Sequence, residues 1–231
     1  MKRVECPFTS TGRRRGGGYF LSATSKALAE EAETPAPQPP AEERSKEKWL
    51  YPALLSWMLG RDYRAKDTSS LRSRDLGKWG NPDVTGIAVN EHFARLEIEV
   101  ATIEAKVGFD AWEIDFFQAV SQRRFANRAY FAFALPREAA EKLPTELRYY
   151  SELFSVGVLV VELEDDLYGR LTTGTLSEED KKYLRSPNDD PVREVLSAPL
   201  HYVPTSHQRR FCEALAIRDV KDLMQWGLEA T

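Results

Sequence analysis

Two acidic residues and one lysine have the types and spacing that phosphodiester hydrolysis requires. Asp83 lies in KWGNPDVTGIAV (78–89), and Glu104 and Lys106 lie in RLEIEVATIEAKVG (95–108). Carboxylates are hard oxygen ligands for a divalent cation, which neutralises phosphate charge and lowers the pKa of bound water. A fixed ammonium beside the attacked phosphate stabilises the transition state, and lysine, unlike arginine, exchanges a proton easily. These residues therefore predict metal-dependent cleavage of a phosphodiester.

Strand alternation decides which of these side chains can act together. The pattern predicts strands over 83–90 and 95–107. Successive residues of a strand point to opposite faces, so Glu104 and Lys106 are expected on the same face of the sheet. Glu97 and Glu99 compete as ligands, because an error of one residue in register exchanges the two faces.

The remaining pattern indicates an α/β fold with a mixed central sheet flanked by helices. Apolar residues at helical spacing predict helices over 45–60 and about 111–127. Nearly continuous apolar runs at 128–135 and 156–163 predict buried central strands. The helical segment expected between them, 137–154, predicts that these two strands are parallel neighbours.

Composition divides the chain into three regions. Residues 1–44 are rich in glycine, arginine and proline, and we expect a disordered, low-complexity arm and linker there. Residues 45–165 are expected to form the core. Residues 166–231 are expected to be a helical extension packed on that core, ending with a helical segment over 206–228.

Charge and cysteine content restrict the class of protein. Lys and Arg number 32 against 36 for Asp and Glu, giving a formal net charge of −4, which disfavours a strongly basic nucleic-acid coat. A nuclease escapes part of this objection, because its site concentrates carboxylates around metal. Two cysteines without a CxxC pattern favour a reduced, cytoplasmic setting, and no apolar run approaches the length of a membrane span.

The order helix, strand, strand, helix, strand, with Pro82-Asp83 on one strand and Glu104-Ala105-Lys106 on the next, resembles the PD-(D/E)XK nuclease superfamily. The resemblance covers about 45–135 and implies a restriction-endonuclease-like core. It implies that Asp83 and Glu104 bind Mg²⁺ or Mn²⁺, with the carbonyl of Ala105 as a third oxygen ligand. It also implies that Lys106 positions the attacking water or helps to deprotonate it.

The same resemblance implies contributions from the two flanking helices. Glu47 is the candidate acidic residue on the preceding helix, and Glu43 is the second candidate. Gln118 matches the polar residue that lines the cleft from the following helix. Some relatives carry a tyrosine four positions after that glutamine, where this chain has Gln122.

Basic residues on both sides of the motif are candidates for binding a nucleic-acid backbone. They are Arg72, Arg74, Lys78, Arg123, Arg124 and Arg128. The resemblance implies a nucleic-acid substrate, with DNA favoured, an endonuclease activity in restriction or defence, and no membrane partner. It leaves open a homodimer and a partner protein that recruits the substrate.

Three alternatives qualify this interpretation. A second Glu-x-Lys string, Glu179-Asp180-Lys181, lies in a segment expected to be a surface helix, so the string alone has little specificity. The alternative for the first copy is an exposed Glu/Lys ladder on an edge strand, with Pro82-Asp83 as ordinary turn chemistry. The alternative function is a catalytically silent nuclease-fold module that binds nucleic acid or a partner protein.

Overall fold

The computed structural model describes residues 8–10, 19–21, 45–71, 76, 80–92, 95–139, 143–187 and 190–227. The chain divides into two units, Met1–Gln38 and Pro39–Thr231. In the first unit, strand β1 (Phe8–Ser10) pairs antiparallel with strand β2 (Tyr19–Leu21). Both strands fall within the segment predicted to be a disordered arm, and the rest of that segment, up to residue 44, lies outside the described residues.

A six-stranded mixed sheet is the centre of the second unit. In spatial order the strands are β3 (Arg64–Asp67), β4 (Val84–His92), β5 (Arg95–Lys106), β6 (Arg128–Pro136), β7 (Gly157–Leu163) and β8 (Val192–Leu196). Strands β5, β6 and β7 are parallel, and every other neighbouring pair is antiparallel. The predicted α/β class, with a mixed sheet flanked by helices, is confirmed.

Helices cover both faces of this sheet. They are α1 (Tyr51–Leu59), α2 (Trp112–Gln122), α3 (Thr145–Phe154), α4 (Asp165–Thr173), α5 (Glu178–Arg185), α6 (Thr205–Ala214) and α7 (Val220–Gln225). Helices α2 and α3 link the parallel strands and pack on one face, whereas α1, α4 and α5 pack on the other. No helix among the described residues has the length and apolar character needed to cross a membrane.

The apolar run of β6 is continuous because both of its faces are buried. Phe131 and Phe133 pack under α2 and α3, and the intervening Ala132 and Ala134 belong to the core beneath α1. Alternating residues thus supply two hydrophobic layers, as expected for a central parallel strand. The predicted parallel pairing of β6 with β7 is confirmed.

Several boundaries differ from the sequence prediction. The helix expected over 45–60 is interrupted after a helical turn at 45–47, and α1 begins only at Tyr51. Pro52 lies in the first turn of α1, where its missing N–H leaves no hydrogen bond unmade. The segment 206–228 is also interrupted, because α6 and α7 are separate helices.

The C-terminal region contributes more than helices. Strand β8 pairs with β7 at the edge of the sheet, so the region expected to be a helical extension also completes the sheet. Helices α6 and α7 pack over β4 and β5 through Phe211 and Leu223, which contact the residue clusters containing Val100 and Ile87.

Candidate active site around Lys106

The pairing of β4 with β5 brings the predicted acidic residues together. Val84 pairs with Ile103, and the N–H of Asp83 donates to the carbonyl of Ile103 at 3.1 Å. Asp83 therefore stands across from Glu104 in the antiparallel ladder, on the same face of the sheet. Glu104 and Lys106 share that face, as the alternation of strand residues predicts.

Lys106 is the centre of the site. Its Nζ lies 2.8 Å from Oε1 of Glu104, 3.1 Å from Oε1 of Glu47 and 3.1 Å from the carbonyl oxygen of Ala105. Lys106 is only 7% exposed, and the two glutamates are also buried. The structure therefore brings Glu47, Glu104 and Lys106 into one ion-pair cluster away from bulk water.

Asp83 is held on both of its carboxylate oxygens. Oδ1 accepts a hydrogen bond from the hydroxyl of Tyr51 at 2.8 Å, and Oδ2 accepts one from the N–H of Ala105 at 2.8 Å. One donor comes from α1 and the other from β5. Two donors on one small carboxylate fix its orientation, which is what a metal ligand or a catalytic group requires.

The second oxygen of Glu104 is held by helix α2. Nε2 of Gln122 donates to Oε2 of Glu104 at 2.9 Å, and Gln122 is completely buried. The other side-chain atom of this amide, Oε1, is buried and has no hydrogen-bond partner within the described part of the chain. Glu104 thus lies between the ammonium of Lys106 and the amide of Gln122.

Gln118, the residue expected from α2, lies one turn before Gln122. Its Nε2 donates to Oδ1 of Asp115 at 3.3 Å. Asp115 is close enough to Glu47 for its charge to raise the pKa of that residue. Gln118 therefore borders the site through Asp115, whereas the hydrogen bond to Glu104 comes from Gln122.

Three buried carboxylates share one ammonium, and this imbalance shifts their protonation. Burial raises the pKa of Glu104 to about 8 and that of Glu47 to about 7, although the charge of Lys106 opposes both shifts. Burial raises the pKa of Asp83 as well. Burial alone would lower the pKa of Lys106, but the surrounding carboxylates raise it above its ordinary value. The buried carboxylates therefore tend to hold protons near neutral pH, and a bound divalent cation would favour their ionised forms.

Sequence reasoning missed Tyr51 and Gln122. Gln122 continues the buried stripe of α2 formed by Phe116 and Ala119, so a glutamine in that stripe was a detectable signal for a buried polar contact. Tyr51 offered a weaker signal, because the helical spacing from Glu47 is interrupted by the turn before α1.

The basic residues proposed to grip a nucleic acid fall into two groups. Arg72, Arg74 and Lys78 lie outside the described residues, as does Glu43. Of the second group, Arg123 donates to the carbonyl of Phe154 at 2.6 Å, and burial lowers its pKa. The guanidinium of Arg124 lies 5.8 Å from the ring centroid of Phe125, and burial lowers its pKa too.

Arg128 is the first residue of β6, and Phe133, which pairs with Lys106, lies toward the other end of that strand. Its Nε lies 2.7 Å from Oε1 of Glu99, and an NH1 hydrogen bond of 2.5 Å reaches the carbonyl of Ala198. Glu99 also accepts a hydrogen bond from the hydroxyl of Tyr63. This competing acidic residue is thus engaged by Arg128 and Tyr63, and Glu97 is exposed.

The second Glu-x-Lys string lies on α5, as predicted for a surface helix. Lys181 pairs with Glu178 at 2.6 Å, and Glu179 is exposed. Asp180 caps α5 through the N–H of Ser177 and pairs with Arg170 at 2.7 Å. These contacts stabilise a helix end, which distinguishes this string from the copy on β5.

The donors around Lys106 fit a hard divalent cation in their chemistry. Asp83, Glu104 and the carbonyl of Ala105 supply oxygen atoms of the kind that Mg²⁺ and Mn²⁺ prefer. The amide of Gln122, whose Nε2 binds Glu104, carries a further buried oxygen, Oε1, which lacks a partner in the described ranges. Within those ranges, however, no three His, Cys, Asp or Glu side chains are grouped as a metal site would group them.

A groove of about 510 Å³ lies near the carboxyl ends of β5 and β6. Phe109 lines it three residues after Lys106, together with Leu135 and Pro136 at the carboxyl end of β6. Glu138 and Asp165 add negative charge to its wall. That charge disfavours a phosphate in the groove, so a polyanionic substrate would need cations from elsewhere.

Comparison of the chain with protein-family models, with curated proteins and with solved structures found no match. The functional argument accordingly depends on the geometry and chemistry of the residues around Lys106.

Proposed function

We propose that this chain is a metal-dependent nuclease of the PD-(D/E)XK type, which hydrolyses phosphodiester bonds in DNA with Mg²⁺ or Mn²⁺. The observation that carries the proposal is the position of Lys106, 2.8 Å from Glu104 on the face that Asp83 shares across the β4–β5 ladder. Acidic side chains and an ammonium at one buried point are expensive to maintain for stability alone. Catalysis of a reaction at phosphorus would explain why the chain maintains these buried charges.

The residues divide the work of the proposed reaction. Asp83, Glu104 and the carbonyl of Ala105 would hold the cation, which when bound supplies charge neutralisation and a water of lowered pKa. Lys106 holds a positive charge where negative charge develops on the phosphate oxygens. Glu47, with a pKa of about 7, accepts a proton from the attacking water near neutral pH.

Two further residues orient the ligands. Tyr51 holds Asp83 and Gln122 holds Glu104, each through a hydrogen bond shorter than 3 Å between buried groups. Outer partners of this kind fix the direction of ligand lone pairs, and their loss commonly costs ten- to a hundredfold in metal affinity or activity. In our proposal both act by positioning and neither touches the substrate.

The resemblance to restriction endonucleases supports a role in restriction or defence, with DNA as substrate and a homodimer that cuts both strands. The formal net charge of −4 argues that few contacts outside the site attract a polyanion. We therefore include in the proposal a partner protein that delivers the substrate.

One observation favours a second candidate, a catalytically silent nuclease-fold module that binds nucleic acid or protein. Asp83, Glu104 and Lys106 are each less than a tenth exposed, and Lys106 is fully engaged with oxygen atoms of its own chain. A silent module would keep such a cluster closed. An assay for DNA cleavage distinguishes this candidate from an active nuclease.

The test is a cleavage assay with plasmid, linear and single-stranded DNA and with RNA, in Mg²⁺ and in Mn²⁺. The wild-type protein should cut DNA, Lys106→Ala should reduce the rate at least about a hundredfold, as expected for loss of a charge that acts in the transition state, and Asp83→Asn should do the same. Lys181→Ala, in the second Glu-x-Lys string, is the matched control and should cut at the wild-type rate. Wild-type protein that leaves every substrate intact in both metals would contradict the proposal.

A further inference from the structure

The ammonium of Lys106 contacts oxygen atoms that the proposed metal site would also use. Its three nearest oxygen partners are Oε1 of Glu104, Oε1 of Glu47 and the carbonyl oxygen of Ala105, at 2.8, 3.1 and 3.1 Å. Two of these oxygens, from Glu104 and Ala105, are also donors of the proposed cation site. Lys106 thus already uses part of the ligand set.

The charges of the cluster explain this position. Glu47, Asp83 and Glu104 are buried together, and Lys106 is the cation whose charge acts on all three. Because burial makes an uncompensated carboxylate costly, the ammonium is drawn between them. The ammonium accordingly lies within 3.1 Å of Glu47 and 2.8 Å of Glu104.

A second feature of the site is an amide oxygen of α2 that has no partner among the residues that the structure describes. Gln122 is completely buried, and its Nε2 is used by Glu104, yet its Oε1 finds no partner in the described ranges. Buried amide oxygens are almost always paired, so an orphaned one beside the carboxylates calls for a donor or a cation.

We infer that Lys106 is an internal counter-ion of the metal-free site, and that a divalent cation binds only as the ammonium withdraws from Glu104 and Ala105. This inference rests on the proposed function, whose metal site it describes. Two cations cannot share the Glu104 oxygens at such short range without strong mutual repulsion. Metal binding and the seated position of Lys106 are therefore coupled, and each weakens the other by the same factor.

The coupling has a consequence for regulation. The site is closed while Lys106 is seated, and metal binding sets the ammonium free to move toward the scissile phosphate. Substrate phosphate would stabilise the released ammonium, so metal and substrate should each favour binding of the other.

The decisive experiment is calorimetric titration of the full chain with Mn²⁺ in the absence of nucleic acid. Lys106→Met, which keeps the length of the side chain but removes its charge, should bind Mn²⁺ at least tenfold more tightly than wild type. Lys181→Met is the matched control and should bind as wild type does. Equal or weaker binding by Lys106→Met would overturn the inference and leave the proposed nuclease standing. Absence of Mn²⁺ binding in both proteins would overturn the inference and the metal dependence of the proposed function together.

A second measurement covers the case in which Lys106→Met does not fold. In wild-type protein labelled with ¹⁵N-lysine, the Lys106 Nζ signal should be visible without metal, because its protons are hydrogen-bonded and buried. Saturation with Mg²⁺ should shift that signal or remove it through faster exchange. An Nζ signal that stays unchanged while other signals of the site report Mg²⁺ binding would show that ammonium and metal coexist, and would refute the inference.

Discussion

The hydroxyl of Tyr51 donates a hydrogen bond to Oδ1 of Asp83 at 2.8 Å, and both residues are buried. Because the N–H of Ala105 binds the other oxygen of the same carboxylate, Asp83 is oriented by two different elements, α1 and β5. Helix α1 therefore not only covers the sheet but also orients one of the carboxylates that we propose to hold the metal. At Gly86 of β4, a Cβ would lie 2.7 Å from Sδ of Met58 near the end of α1, so the helix and the strand pack closely there.

Tyr51→Phe tests this orientation with the smallest possible change. Loss of the hydroxyl leaves Oδ1 of Asp83 buried without its donor, so we expect a loss of about 1–3 kcal/mol in the free energy of unfolding. We also expect cleavage to fall about tenfold or more, mainly in kcat. Tyr63→Phe is the matched control, because Tyr63 also donates to a partly buried carboxylate, that of Glu99. The control should lose stability and keep its cleavage rate; equal loss of rate in both variants would contradict a specific role for Tyr51.

Gln122→Ala and Gln118→Ala separate the two glutamines of α2. Of these two residues, Gln122 donates to Glu104, whereas the side chain of Gln118 donates to Asp115. We expect Gln122→Ala to reduce metal affinity about tenfold or more, because Glu104 loses the donor that orients it. Gln118→Ala should have a smaller effect. Titration of both variants with Mn²⁺ measures this directly, and a larger loss for Gln118→Ala would show that Gln118 is the residue that matters.

The difference between these glutamines shows what the sequence could and could not predict. Strand alternation correctly placed Glu104 and Lys106 on one face of the sheet, because that rule is local and periodic. The antiparallel pairing that sets Asp83 across from Glu104 is a finding of the structure. The apolar stripe of α2 marks Gln122 as a buried polar residue, but the identity of its partner, Glu104, depends on how that helix packs against the sheet. Strand β8 was missed for a related reason: its five residues are too short to show a pattern and pair only at the edge.

The raised pKa values predict how stability depends on pH in the metal-free protein. The pKa of Glu104 is about 8 and that of Glu47 about 7, whereas an ordinary glutamate titrates near 4.5. Between those limits the folded state binds more protons than the unfolded state, so the free energy of unfolding falls as pH rises. We expect the metal-free protein to be more stable at pH 5 than at pH 8 in denaturant titrations.

Two variants test whether Glu104 causes this dependence of stability on pH. Glu104→Gln should flatten the profile between pH 5 and pH 8, because it removes a carboxylate whose pKa burial raises. Glu179→Gln, on the exposed surface of α5, should leave the profile as it is in wild type. Stability that rises with pH across this window would mean that the carboxylates are ionised in the folded protein, contrary to the burial argument.

Alanine substitutions at two glycines test how closely neighbouring residues pack against the start of β7. At Gly157, the first residue of β7, a Cβ would lie 2.4 Å from the ring of Tyr130 and 2.6 Å from the backbone nitrogen of Ala198. Gly157→Ala should therefore destabilise the protein by about 1–3 kcal/mol, since the neighbours must shift to admit a methyl group. Gly169, in α4, has nothing within 4 Å of the same atom, so Gly169→Ala should stabilise by about 0.5–1 kcal/mol through helix propensity. Urea denaturation of both variants measures the difference. Equal stability of the two variants would contradict the close approach of Tyr130 and Ala198 to Gly157.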